Sequence, residues 1–160
     1  MLGHTIEIKR DQIIVWVSLA PQGFSPLPQA RLFPAVVDTG CNHSFVMRQQ
    51  HLLEWSGAPL DSLRILGSAK IYGQSVPLLA ANIWLHANRP GSRDERTNER
   101  PHLLEFDQGL AVVPQTSGKT NPRLPLLGMR ALRWNHLHVA IDGHRRRVTI
   151  RTRRRFWLFG

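Results

Sequence analysis

One cysteine, Cys41, stands in 160 residues, so the chain has no internal disulfide and no zinc cage built from thiolates alone. No apolar run approaches the ~20 residues that a membrane-spanning helix needs. The opening MLGHTIEIKRD turns charged too early for a secretory signal. With a single thiol this predicts a reducing, cytoplasmic setting without membrane contact. Helix signals are scarce, there is no internal repeat, and no G-x-S-x-G elbow marks a serine hydrolase. Acidic residues are missing from one region altogether. After Gly143 come seven arginines (145, 146, 147, 151, 153, 154 and 155) and no aspartate or glutamate. That region carries most of the net charge of +10, and the body of the chain is nearly neutral. Such a patch attracts polyanions nonspecifically, whatever else the chain does.

What is present is a core and the alternation of β structure. With 42% apolar and 20% charged residues, 160 residues suffice for one domain spanning the chain. HTIEIKR alternates Ile6 and Ile8 with polar residues, and QIIVWVSL follows a charged turn at Arg10 and Asp11, so the two predict a hairpin. PQGFSPLPQ is a loop by its prolines, and ARLFPAVVD is a third strand with Pro34 near its start. SFVMRQQHLLEW is the best helix, capped by Asn42 or Ser44 and ending near Gly57. DSLRILGSAKIYG and QSVPLLAANIWLH read as two extended segments around a turn at Tyr72 and Gly73. ANRPGSRDERTNERP (87–101) is a polar surface insertion, HLLEFDQGLAVVP a strand region, and LPLLGMRAL leads into a short helix. HLHVAID and RRVTIRT flank a turn at Gly143, before a basic tail at 153–160.

The third strand ends on a lone carboxylate, Asp38, followed by Thr39 and Gly40. Such a triplet can simply be an Asx-type turn at a strand end. Its setting says more. The pieces AVVDTGC, RILGSAKIYGQSV and LPLLGMRAL occur in the order and at the separations that resemble the retropepsin-like aspartic proteases, single-lobe relatives of pepsin. The resemblance extends over nearly the whole chain. It implies a mainly β, single-lobe acid-protease fold, a closed β-barrel with one or two short helices, active as a homodimer without metal or cofactor. Asp38 would be catalytic, paired with the Asp38 of a second copy so that the two share a proton. Thr39 would bond across the pair, Gly40 would allow the tight turn, and Cys41 stands where the family has Ser or Ala. A flap would lie within Leu66, Gly67, Ser68, Ala69, Lys70, Ile71, Tyr72 and Gly73, closing over an extended polypeptide substrate. Leu126, Leu127 and Gly128 would support the active-site loop from beneath. Strands near Ile6 and Ile150 would add to an intersubunit sheet.

Other motifs are weaker. TSGKT (116–120) ends like a phosphate-binding loop, but Val113 stands where the first glycine belongs, and Pro122 and Pro125 oppose the helix. His136 and His138 share a strand face without a third metal ligand, and a solvated face accounts for them. Cys41 and His43 lack an orienting third group for thiol catalysis. The arginine-rich end, with Phe156 and Trp157, suits phosphate contact and base stacking. It leaves open a basic nucleic-acid-binding module in which Asp38 merely ends a strand. A catalytically silent, protease-like binding domain is the third reading.

Overall fold

Ile6 and Ile8 alternate with polar residues, and in the computed structural model they lie in strand β1 (Gly3–Lys9). The structure describes residues 3–9, 11–21, 31–56, 62–87, 101–114 and 123–152. Nearly all of the expected insertion, the TSGKT loop, most of the proline-rich loop and the basic tail lie outside these residues. The expected hairpin is present: Asp11 turns with φ 61°, and Ile8 pairs with Ile13 of β2 (Gln12–Pro21). β3 (Phe33–Asp38) runs antiparallel to β2. Pro34 fits inside it for a geometric reason. The Val36 N–H points away from β2 to the Pro125 carbonyl (2.8 Å). Alternation puts the Pro34 nitrogen on that same edge, where no strand of the described residues needs a donor.

The helix expected over 44–55 forms only in its second half. Phe45, Val46 and Met47 belong to β4 (Phe45–Arg48), buried between β9 (Leu110–Val113) on one edge and β10 (Leu126–Gly128) on the other. A strand covered on both faces reads as a continuous apolar run, without the alternation that would announce it. Helix α1 (Gln49–His51) follows, starting at Arg48 without a side-chain cap and passing into a π-type turn, Leu52–Ser56. The segment QSVPLLAANIWLH also divides. Its halves are β6 (Gln74–Leu79), paired with β5 (Ile65–Ile71), and β7 (Ala81–His86), paired with β2 and with β8 (His102–Leu104). Ala80 is the corner, its N–H bonded to the Arg64 carbonyl. Last come helix α2 (Met129–Trp134) and the hairpin of β11 (Leu137–Asp142) and β12 (Arg147–Thr152).

The architecture is mainly β, with two short helices among the described residues, as expected, but the sheet does not close into a barrel. Its strands run β11-β12-β1-β2-β3-β10-β4-β9-β6-β5, with β7 and β8 branching from β2. Closure would require β5 to meet β11. Instead both terminal hairpins project, and most residues of β5 and β11 are exposed. β12 also has both edges occupied, by β1 and β11, so it cannot accept a strand from a second copy as expected for the segment near Ile150. No helix of the described residues is long and apolar enough to cross a membrane.

The main core gathers Val15, Val17, Phe33, Phe45, Leu52, Leu85, Leu127 and Ile150 among others. At its edge the His51 ring stacks on Trp55 (centroids 4.2 Å apart), and Trp55 stacks on Phe33 (5.1 Å). His51 is 9% exposed, and its Nδ1 has no hydrogen-bond partner. Burial, and then the Arg48 charge, holds its pKa below the ordinary 6.5, against a smaller opposing pull from Glu54. The folded chain therefore takes up this proton less readily than the unfolded chain, and acid favours unfolding. Thermal melts should show stability falling as the pH drops below about 6.5. His51→Phe, which keeps a ring in the stack but cannot titrate, should reduce that fall; an unchanged pH dependence would remove His51 as its source. His43 and His102, lowered by burial too, should contribute to the remainder, joined at lower pH by Asp107.

Candidate active site

Burial alternates along β3: Phe33, Ala35 and Val37 face the core, while Pro34, Val36 and Asp38 lie half-buried on the other side. Asp38 is thus not a charge sunk in apolar packing. It sits at the strand's end, where the backbone breaks to form the loop 39–44. Its Oδ1 accepts the Gly40 N–H (2.9 Å), and its carbonyl accepts the Cys41 N–H (3.2 Å). Thr39 and Gly40 are exposed. Gly40 does not have a left-handed φ; a Cβ there would stand 3.3 Å from Asp38 Oδ1, so the residue serves close approach to the carboxylate.

The loop rests on β10 and the start of α2. β10 pairs in parallel with β3, with Leu126 opposite Val36, Leu127 opposite Val37 and Gly128 opposite Asp38. The Gly128 N–H donates to the Ser44 carbonyl (3.1 Å), and the Met129 N–H donates to the Cys41 carbonyl (3.2 Å). Contact is so close that a Cβ on Gly128 would collide with the His43 carbonyl and come within 2.7 Å of the Cys41 carbonyl. Of the three residues expected beneath the loop, Gly128 touches it, while Leu126 and Leu127 pair with the strands on either side of it. Behind them lies a tie that the motifs did not reveal. Arg130 Nε reaches both Asp107 carboxylate oxygens (3.0 Å each), and Asp107 Oδ1 accepts from the Ser44 hydroxyl (3.3 Å). The Arg130 guanidinium holds the Asp107 carboxyl below its ordinary range, and Ser44 adds to the effect. A carboxylate directly after Phe106 and an arginine two residues after Gly128 carry no spacing signal for such a pair.

Cys41 is half-buried, with Sγ 3.8 Å from the His43 carbonyl. Burial is the main force pushing its thiol pKa up; the His43 contact opposes this and the Asp38 charge adds to it. A protonated thiol is a poor nucleophile. The residue instead packs, with Ala69 and Leu126, against a second small core of Val46, Ile71, Val76, Leu78, Ala111 and Val113.

That core joins the loop to the β5–β6 hairpin. Ile71 and Gln74 flank a two-residue turn in which Tyr72 (φ 51°) and Gly73 (φ 78°) are both left-handed, as a type I′ turn requires. This puts the tip of the expected flap at Tyr72 and Gly73. Leu66 is the extra residue of an irregularity at the hairpin's root, against Gly109. Gly67, Ser68 and Lys70 are exposed, Ala69 is half-buried and Ile71 is buried. Tyr72 is 53% exposed, yet its phenol pKa is raised by desolvation and then by the charges of Cys41 and Asp38. Ile71, next to the tip, shares the small core against which Cys41 packs, so the hairpin lies beside the Asp38 loop.

No family profile and no curated protein matches the chain. Among solved structures it is similar to the crystal structure of a retropepsin-like aspartic protease from Rickettsia conorii. The two are 15% identical, with 93% of this chain and 98% of that one covered, at a TM-score of 0.47.

Three glycines of the site should respond differently to alanine. Gly128→Ala, facing two carbonyls, should cost about 3 kcal/mol, the upper end for overpacking. Gly73→Ala should cost roughly 1–2 kcal/mol through its left-handed φ. Gly67→Ala has open space and an ordinary φ, so it should change stability by less than ~0.5 kcal/mol. Denaturant midpoints for the three variants test the order; a tolerated Gly128→Ala would contradict the close approach.

Proposed function

We propose that the chain is an aspartic-type endopeptidase that works as a homodimer, each copy contributing one Asp38 to the catalytic pair. The observation that carries this reading is the setting of Asp38. Its carboxylate stands half-exposed at a strand end, on a loop pinned by backbone bonds, beside a hairpin whose Ile71 shares a small core with Cys41 of that loop. A structural Asx turn would explain the Gly40 contact but not the hairpin packed against the same loop. Of the chain's aspartates only Asp38 is followed by Thr-Gly, so a pair calls for a second copy.

In the dimer two like charges held close cannot both ionise, and one carboxylate keeps a proton. The pair then titrates as a unit. The ionised carboxylate takes a proton from a water as the water oxygen attacks the scissile carbonyl carbon. The protonated one donates to the carbonyl oxygen, giving a tetrahedral diol. That intermediate collapses as the amide nitrogen takes a proton and the C–N bond breaks, leaving a carboxylic acid and an amine. The chemistry needs two carboxylates and a water, and no metal or cofactor enters it. Thr39, exposed on the loop, would bond across the two-fold axis, and Gly40 lets the loops approach. Leu126, Leu127 and Gly128 keep the loop in place. The hairpin from Leu66 to Gly73 would cover an extended peptide, with Tyr72 and Gly73 at its tip excluding water.

Asp38→Asn preserves shape and removes the ionisable group. It should lower cleavage of a peptide library by at least the ~10²–10⁴-fold that acid–base catalysis contributes. Light scattering should find both wild type and variant dimeric. A monomer whose cleavage survives Asp38→Asn would overturn the reading.

A further inference from the structure

The β11–β12 hairpin distributes its charge unevenly. At one end Arg147 sits in register between Glu7 of β1 and Asp142 of β11, and Asp142 also pairs with Arg145. At the other end Arg151 lies between Gly3 and His138, with no carboxylate beside it in the ladder. This end borders an open groove of about 570 Å³ lined by Arg133, His136, Leu137, His138, Arg151 and Thr152. None of these residues is acidic. Near α2, Asp107 is already held by Arg130, and Glu105 meets Asn135 at the helix end through its backbone N–H and carbonyl. His136 is set at the helix–strand reversal by a left-handed φ of 52° and by its N–H bond to the Arg133 carbonyl (3.1 Å). Arg133 and His136 therefore come from the helix end, while His138 and Arg151 stand side by side on adjacent strands.

We propose that this groove, at the junction of α2, β11 and β12, binds single-stranded nucleic acid. Two arginines supply phosphate contacts, and Leu137 with the aliphatic arginine stems gives the groove an apolar lining. The flat faces of His136 and His138 suit unpaired bases, which stack on aromatic and imidazole rings. An acidic peptide would satisfy the arginines but leave the flat faces unused, and a duplex would hide its bases. The site is separate from Asp38 and does not depend on the protease reading. In sequence Thr152 is followed directly by Arg153, Arg154 and Arg155, so the experiment must separate groove from tail.

The probe is a fluorescein-labelled oligouridylate of about 12 nucleotides, titrated with full-length Asp38→Asn protein between ~50 and ~200 mM salt. Arg133→Gln with Arg151→Gln should weaken binding about 10- to 100-fold at low salt. It should also lower the salt slope by about 1.4, the value for two single-strand phosphate contacts. His136→Ala with His138→Ala should weaken binding about ten-fold with the slope unchanged. Glutamine at Arg153, Arg154 and Arg155 should leave the groove's share of the slope in place. Absence of binding at low salt would overturn the proposal. So would a groove variant that binds like wild type while the tail variant does not, or displacement by polyglutamate as effective as by unlabelled oligouridylate. If either double variant fails to fold, ring resonances of His136 and His138 in the wild-type background decide: they should shift as oligouridylate is added, and fixed resonances would refute the groove.

Discussion

Everything around Asp38 depends on how closely β10 can approach the loop that follows β3. Parallel pairing brings Gly128 opposite Asp38, and the absence of a side chain lets its backbone meet the carbonyls of Cys41, His43 and Ser44. Two N–H groups of the β10–α2 junction are thereby satisfied by the loop, and the loop's own carbonyls are satisfied in return. The loop is held mainly through its backbone, which leaves the side chains of Asp38 and Thr39 facing outward. The Arg130–Asp107–Ser44 tie fastens the far end of the same loop with charge-assisted hydrogen bonds.

Packing links this support to the hairpin above it. The small core that contains Ile71 and Val76 from the hairpin also contains Val46 from β4 and Ala111 and Val113 from β9, with Cys41 against it. Hairpin and loop thus share apolar neighbours, so the position of one constrains the other. Cys41 serves this arrangement as a small apolar side chain, in keeping with its burial and raised thiol pKa. Charge is handled differently at the opposite side of the sheet. There the ladder sets Arg147 in register with Glu7 and Asp142, whereas Arg151 stands opposite Gly3 and His138.

The elements legible in the sequence are those whose physics is local. The β1–β2 hairpin shows in its alternation, the Tyr72-Gly73 turn in its glycine, and the step from β10 into α2 in an apolar run meeting Gly128. The order of Asp38, hairpin and Gly128 could be read along the chain, and it marked the residues that the fold brings near one another. What was not legible depends on partners distant in sequence. β4 resembles the start of a helix because strands on both edges and packing on both faces remove its alternation. The corner at Ala80, which divides one extended segment into β6 and β7, is set by the Arg64 carbonyl. Closure of the sheet follows from no local pattern, and the sheet stays open. Asp107 and Arg130, far apart in sequence, meet only because β9 and β10 flank β4.

The parallel pairing of β3 with β10 has a consequence for the order in which the molecule comes together. Residues 36–38 meet residues 126–128, so closing that loop of about 90 residues costs on the order of 4 kcal/mol in chain entropy before any contact repays it. Local hairpins such as β1–β2 and β5–β6 form without that cost. During synthesis the Asp38 loop emerges about 90 residues before the strand and helix that shape it. A nascent chain therefore carries the carboxylate through that whole interval without the geometry around it.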